Sequence, residues 1–433
     1  MAGLFISAML APNNASSYLA HYFEQSPSVM RRPLEQNSFY ANLFSLEDVG
    51  DLMSRFQRDG DEQKLLLGGE DWNLVRKVWV NDATGGGGEG WTTLGVRKGT
   101  TLTQDEARGM FEREGYTLVV NHVEKYHDKI ALVVGEIESA LGHQVSANLY
   151  ATMTSTHERG TQGFAAHFDW MDSIIIQVAG CKRWRIYGHA VQLPVPDMVF
   201  SFDTVASLEF LSVVGEFDLS AGSALTIPRG WVHEAATNCS TETIAALPAN
   251  QPSLHLTFGL EAAVTTTVEV LLHYYFQSFG ESMALDWHAW MWTHLCIHTV
   301  AILGDLGLAL RKSLPSELLL SKPSVVSQDF VKSIQSTAKL SWEGLDFNDA
   351  SVLAQDLLGK ECIATKQQQR RQHKPLYILP FLQQFKSAWE GSIEPSKQQV
   401  AQVWNIAIES MTPGNIAGAL ERLLAAKNNV SIL

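Results

Sequence analysis

The amino-acid sequence predicts an α+β fold, a core of short β-strands with helices on its flanks, and three stretches carry that prediction. Ser173 to Val178 (SIIIQV) is a short, apolar, β-branched run of the kind that forms a buried strand; Ala179-Gly180 breaks it, and Lys182 to Tyr187 (KRWRIY) alternates as a second strand, so the pair reads as a hairpin. Ser223 to Ile227 reads as a further strand, Pro228-Arg229-Gly230 as a tight turn, and Trp231 to His233 as the returning segment. From about Glu261 to Leu320 the pattern turns helical and rich in Leu and aromatic residues, including Trp287, Trp290 and Trp292.

The remaining elements follow in chain order. A helical lead-in is expected before Thr84 to Gly90 (TGGGGEG), a surface loop without phosphate-loop character because no G-K-[ST] follows it. Helical periodicity returns at Thr103 to Glu114. Lys322-Pro323 ends the aromatic-rich helical region, and from Ser341 to Leu433 helix-like segments such as Ile378 to Glu390 and Lys397 to Met411 alternate with Pro-containing breaks.

Composition bounds the function. A chain of 433 residues has room for two or three domains, and 45% hydrophobic content supports a sizeable core. The net charge of −14 argues against a surface that coats nucleic acid, so direct nucleic-acid binding is not expected. Cys181, Cys239, Cys296 and Cys362 are widely spread with no C-x-x-C, which suggests neither a zinc ribbon nor a disulfide framework; reduced intracellular thiols are the expectation. The apolar start MAGLFISAMLAPNNA has no basic n-region, its first basic residue being Arg31, so it does not read as a secretory signal. Asp286 and Asp305 bound the longest apolar stretch, and His288, His294 and His298 interrupt it, so no membrane span is expected where about 20 apolar residues are needed. Lys366 to Lys374 (KQQQRRQHK), the most basic stretch, reads as a solvated loop rather than a nuclear signal.

The chemistry-bearing residues lie around the first two strand pairs. His167 and Asp169 are two apart, so on an extended strand they share a side, while His233 must arrive from another strand. Two imidazoles and one carboxylate on one face of an octahedral ion leave three adjacent positions open, the arrangement of non-haem Fe(II) oxygenases. An isolated H-x-D is weak evidence; the strands around it strengthen it. Lys182, Trp184 and Ile186 share one face of their strand. Either Lys182 is set among apolar neighbours and needs an anionic partner, such as the far carboxylate of a metal-chelating 2-oxoglutarate, or it lies on a solvent face with Arg183 and Arg185; parity alone leaves both open. His294 and His298 are four apart on a helix, but HLCIH lacks the Glu of H-E-x-x-H, so polar pairing in a bundle is the reading there.

These motifs together resemble the JmjC-domain oxygenases of the ribosomal-oxygenase (cupin-4) branch, the group that includes bifunctional histidyl-hydroxylases and lysine demethylases. The resemblance rests on H-F-D at 167 to 169, I-I-I-Q-V-A-G-C-K-R-W-R-I-Y at 174 to 187, I-P-R-G-W-V-H-E-A at 227 to 235 and S-L-H-L-T at 253 to 257. Upstream, Tyr18 to Arg32 resembles the family's opening helix, and Gly115 to Glu124 and Val145 to Tyr150 its first core strands. Two features depart from the family's pattern: the segment between Tyr150 and His167 is longer than usual, and Trp170 stands where an acidic residue commonly follows the metal-binding Asp.

The resemblance implies a double-stranded β-helix (jelly-roll, cupin/JmjC) catalytic domain over 1–262, a helical dimerisation module over 263–325 and a winged-helix-like C-terminal domain over 326–433. It implies Fe(II), with 2-oxoglutarate and O₂ as cosubstrates and succinate and CO₂ as products. His167, Asp169 and His233 take the places of the iron ligands and Lys182 that of the partner of the 2-oxoglutarate carboxylate; Asn148, Tyr150 and Ser253 match positions lining the cosubstrate pocket. The expected activity is hydroxylation of a histidine, or secondarily an arginine, of a ribosomal protein, by a homodimer acting inside the cell in the nucleus, nucleolus or cytoplasm. Alternatives are a histone N-methyl-lysine demethylase, a tRNA-base hydroxylase, which a basic rim would favour, and a non-catalytic scaffold, against which the intact ligand set argues.

Overall fold

The computed structural model describes residues 4–31, 40, 42–54, 68, 71–80, 90–96, 104–153, 161–195, 211–245, 247–248, 251–279, 287–302, 307–321, 326–350 and 395–430. The glycine-rich stretch up to Glu89, Lys322-Pro323, Cys362, Lys366 to Lys374, Ile378 to Glu390 and the centre of the long loop before His167 lie outside them. The described residues fall into two compact units, one of residues 1–192 and 199–261, the other of 193–198 and 262–433.

The first unit is built on β1 (Ser28–Met30), β2 (Trp72–Val80), β3 (Gly90–Gly95), β4 (Thr117–Val120), β5 (Val145–Thr152), β6 (Asp172–Ala179), β7 (Cys181–His189), β8 (Val213–Ser220), β9 (Ala224–Ile227), β10 (Trp231–Ala236) and β11 (Ser253–Leu260). Eight strands make one sheet in the order β1-β9-β6-β11-β5-β4-β2-β3, and β10-β7-β8 make a second. An antiparallel bridge between His167 and His233 adds a further segment to the edge of the smaller sheet. From β5 onward the chain passes back and forth between the two sheets, and Ile175, Leu225 and Ile227 of the larger pack against Trp184, Ile186 and Leu219 of the smaller. This is the expected double-stranded β-helix, with its apolar interior between facing sheets.

Two expected local features take another form. The strands on either side of Gly180 are not a hydrogen-bonded hairpin: β6 pairs with β9 and β11, whereas β7 pairs with β8 and β10. Gly180 therefore turns a corner between sheets; its φ is +64°, and a Cβ there would collide with the Pro252 carbonyl oxygen. Pro228-Arg229-Gly230 is the expected tight turn, with Trp231 N–H donating to the Pro228 carbonyl (3.3 Å), and it carries the chain from β9 to β10 of the other sheet. The opening helix spans only Ala15–His21, because the chain turns out of it and continues through Pro27 into β1, which pairs with β9. β2 and β3 extend the larger sheet where only a helical lead-in was expected.

The thiols also depart from expectation. Cys181, the first residue of β7, is disulfide-bonded to Cys239, just beyond β10, while Cys296 is free and buried. The two positions are 58 residues apart in the chain, a spacing that carries no local signal; they meet because β7 and β10 are adjacent antiparallel strands.

The second unit is helical. Its helices include Thr267–Phe279, Trp287–Ile302, Gln328–Glu343, Lys397–Glu409 and Pro413–Val430, and one buried apolar cluster runs through them from Val268 to Leu423. Tyr274 donates to the Ala407 carbonyl (2.8 Å) and Gln335 to that of Ile408 (2.9 Å), satisfying polar groups inside that cluster. His294 and His298 lie on the Trp287–Ile302 helix, their side chains outside the described set. No helix among the described residues is long and apolar enough to cross a membrane.

Candidate metal centre

The fold brings His167, Asp169 and His233 together, with one ligand atom from each lying within 4.8 Å of the others. Backbone pairing sets that geometry. His167 N–H donates to the His233 carbonyl (3.1 Å) and His233 N–H to that of His167 (2.8 Å), while Gly230 N–H donates to the Asp169 carbonyl (2.9 Å). The turn before β10 thus holds the carboxylate segment, and β10 itself holds the histidine segment. On the outer side of β10, Glu234 accepts from Tyr187 (2.6 Å) and Lys77 (2.9 Å); burial works against its charge, but those bonds hold its carboxyl below the usual range.

The rings are oriented as metal ligands require. Nδ1 of His167 lies 2.8 Å from the Ala165 carbonyl and Nδ1 of His233 lies 3.0 Å from the Trp231 carbonyl. A carbonyl accepts only, so each Nδ1 carries the proton and each Nε2 is left with its lone pair. The ring centroids are 4.6 Å apart, and Nε2 of His233 is 3.7 Å from Asp169 Oδ2. Burial, and then the proximity of His167, push the His233 pKa down to about 4 against the pull of Asp169, so the ring is neutral at physiological pH. Two imidazoles and a carboxylate fit a divalent transition-metal ion.

Next to this triad the inward face of the larger sheet is polar. Asn148, Tyr150 and Thr152 of β5 stand opposite Thr257, His255 and Ser253 of β11, and His255 also stands opposite Gln177 of β6. Lys182 reaches this face from the smaller sheet, its Nζ 3.4 Å from Thr152 Oγ1. Lys182 is buried whereas Arg183 and Arg185 point outward to Asp218 and Glu216, which decides between the two orientations that parity left open. Burial alone lowers the Lys182 pKa from 10.5 to about 7. Of the other expected pocket residues, Ser253 accepts from Gln177 Nε2 (2.9 Å), and Asn148 accepts from the His122 N–H (3.1 Å). Tyr150 is set between Phe164 and His255; its enclosure, and then the Asp169 charge, raise its pKa and keep the phenol protonated.

Two residues of this region were missed at the level of sequence: Gln177 and His255. The alternation of S-L-H-L-T places His255 on the face of Ser253, and a Gln inside an apolar run is itself a signal of an inward polar group. A second cluster, Cys181, Asp218 and Cys239, has metal-ligand spacing, but its sulfurs bond each other and Asp218 already accepts from Arg183 (2.8 Å), Ser240 N–H (2.7 Å) and Thr243 (3.1 Å). Its donor atoms are consumed.

The sequence profile of the JmjC domain matches residues 121–266, which take in every residue of the triad and of the polar face. Ribosomal oxygenase 2 of Rattus norvegicus is 26% identical over 234 residues, covering 54% of this chain and 44% of that protein. The bifunctional lysine-specific demethylase and histidyl-hydroxylase NO66 of Caenorhabditis elegans is 24% identical over 238 residues, covering 54% of this chain and 28% of that protein. The matched region thus spans less than half the length of these relatives. Among solved structures, the Escherichia coli ribosomal oxygenase YcfD in complex with cobalt and 2-oxoglutarate shares 16% identity at a TM-score of 0.37, over 63% of this chain and 59% of that one.

Proposed function

We propose that this chain, whose residues 121–266 match the JmjC domain and which is similar to ribosomal oxygenase 2, is an Fe(II)- and 2-oxoglutarate-dependent protein hydroxylase. The observation that carries the reading is the juxtaposition, between two facing sheets, of a pre-oriented two-histidine, one-carboxylate triad and a buried ammonium. Fe(II), held by His167, Asp169 and His233, would supply with 2-oxoglutarate and O₂ the oxidising power that turns a C–H bond into an alcohol, with release of succinate and CO₂. A dianion next to Lys182 offers the anionic partner that this ammonium lacks among the described residues, where its contact is the Thr152 hydroxyl at 3.4 Å. The protein's own work is to hold the three ligands in fixed tautomers and keep water from the interior, where Ile175, Trp184 and Ile186 pack.

The substrate we propose is a histidine, or secondarily an arginine, of a ribosomal protein. Support for that choice is the naming of the relatives as ribosomal oxygenase and histidyl-hydroxylase. Trp170, directly after Asp169 and partly exposed, would shape the entrance for such a side chain. A homodimer formed through 263–325 and an intracellular, nuclear or cytoplasmic site of action belong to the same proposal; light scattering of the purified chain tests the first.

The decisive experiment is anaerobic reconstitution with Fe(II), titration with 2-oxoglutarate, then exposure to O₂ with succinate quantified. Succinate formation that is lost in His233→Ala and Lys182→Ala, followed by +16 Da products on ribosomal proteins, is the expected result. Demethylated histone peptides would instead favour demethylation, and absence of any metal–cosubstrate complex would favour the scaffold alternative.

A further inference from the structure

His255 is the buried group in this interior that the proposed chemistry does not yet use. It stands on β11 between Tyr150 of β5 and Gln177 of β6. Its ring lies flat against Tyr150, with centroids 4.8 Å apart and planes 5° from parallel, and meets Trp184 of the opposite sheet edge-on at 5.6 Å. Contacts from both sheets thus hold the imidazole in one orientation. Yet its Nδ1 is buried with no hydrogen-bond partner among the described residues, and the same is true of Gln177 Oε1 and Trp184 Nε1.

Leaving a polar atom buried and unpaired costs about 1–3 kcal/mol; of these three, His255 Nδ1 and Trp184 Nε1 can donate to an anion, whereas Gln177 Oε1 accepts only. Lys182 is a further donor: its ammonium has three N–H bonds to give, and its protein partner among the described residues is Thr152 Oγ1 at 3.4 Å. A carboxylate offers two oxygens with about four lone-pair sites, more than one ammonium fills. A second cation beside Lys182 would repel it, whereas a neutral N–H donor adds a bond without that repulsion. His255 meets the requirement, since burial and the Lys182 charge keep its ring neutral.

We propose that His255 is a specificity-determining residue for the cosubstrate: a rigidly mounted neutral donor that binds the distal carboxylate beside Lys182 and selects a dicarboxylic 2-oxo acid over its monocarboxylic analogue. The inference rests on the 2-oxoglutarate reading of the site and adds to it a role for a residue outside the triad. Its selectivity comes from leaving His255 Nδ1 and the Lys182 ammonium unpaired whenever the distal group is a methyl.

The test is calorimetric titration of the full-length, Mn(II)-loaded protein with 2-oxoglutarate and with 2-oxopentanoate, the same chain ending in a methyl. His255→Phe keeps a ring for Tyr150 to stack on and removes the hydrogen bond; His255→Gln keeps a polar group. The expected result is a loss of about tenfold in 2-oxoglutarate affinity in His255→Phe, with 2-oxopentanoate and Mn(II) binding unchanged and most affinity recovered in His255→Gln. Equal weakening of both acids, or no weakening of either, would overturn the proposal, the ring then being a packing element. Because an altered core residue can unfold the chain, a second measurement uses the unaltered protein: in the Zn(II)-loaded form, the ¹⁵N resonance of His255 Nδ1 should move on adding 2-oxoglutarate and stay in place on adding 2-oxopentanoate, and a resonance indifferent to both refutes the role. If the unaltered, metal-loaded protein binds no 2-oxoglutarate at all, the cosubstrate reading itself fails, a result distinct from unaltered binding in His255→Phe.

Discussion

The two ends of the inter-sheet site are finished to different degrees. At the metal end, His167 and His233 exchange backbone hydrogen bonds, both rings are tethered through Nδ1 to carbonyls, and the Asp169 carbonyl is held by Gly230. At the other end, among the described residues, Lys182 has a single long contact and His255, Gln177 and Trp184 each carry a buried atom without a partner. The difference teaches how the site divides its labour: the metal end is pre-organised by the backbone, whereas the deep end, on the proposed reading, is completed by the distal carboxylate of the cosubstrate. Pre-organisation makes ligand geometry independent of the cosubstrate, and the unmet polar groups opposite make cosubstrate binding strongly favourable.

The largest expected effect breaks the metal end. Asp169→Ala or His233→Ala should abolish Mn(II) binding, read by electron paramagnetic resonance, and bring succinate formation to background, with the circular dichroism spectrum unchanged. Retained metal binding in either variant would mean that the triad is not the ligand set.

At the deep end, Lys182→Met should act in opposite directions on stability and on binding. The buried ammonium is unfavourable in the ligand-free fold, so its replacement by an apolar side chain of similar length should raise the thermal midpoint while removing 2-oxoglutarate binding. A lowered midpoint would show that Lys182 is already paired without ligand.

The same group sets a pH dependence. In the ligand-free protein burial lowers the Lys182 pKa from 10.5 to about 7, so the cation is present below that pH and absent above it. Affinity for 2-oxoglutarate should therefore fall about tenfold per unit as pH rises past about 7, with a proton taken up on binding. For stability the sign is reversed: the unfolded chain holds the proton up to the ordinary lysine range, so the ligand-free fold gains stability as pH rises from about 7, and Lys182→Met loses that gain. Calorimetry in two buffers of different ionisation enthalpy measures the proton uptake, and a flat profile would contradict it.

The smallest effect on the site should come from the staple that joins its strands. Cys181→Ser opens a disulfide spanning 58 residues and should cost about 2–4 kcal/mol of stability, seen in urea denaturation. The Mn(II) affinity should stay within about twofold, because the ligands are held by backbone bonds that the disulfide does not make. A large loss of metal affinity would show that the disulfide, rather than strand pairing, orients β10.

Much of the site was legible because its logic is local. The two-residue spacing of His167 and Asp169, the Pro-Arg-Gly turn that mounts His233, and the period-two alternation of Lys182, Trp184 and Ile186 all follow from strand geometry. What stayed hidden depends on which strands become neighbours. Gly180 looks like a hairpin turn because two strand-like runs flank it, yet each run finds its hydrogen-bonding partners elsewhere in the chain. The Cys181–Cys239 bond, the carbonyls that fix each Nδ1 and the burial of Lys182 are consequences of that same pairing.

The sequence by itself determined the local grammar of this protein: short strands and turns, an apolar helical second half, and two histidines, a carboxylate and a lysine at spacings suited to metal-dependent oxidation. Only the tertiary structure decided that β7 and β10 stand side by side, that His255 of the larger sheet meets Trp184 of the smaller, and that two cysteines 58 residues apart are joined. The reason is physical. Side-chain periodicity is a property of each strand and is written in adjacent residues, whereas sheet membership is settled by the burial and hydrogen bonding of segments far apart in the chain.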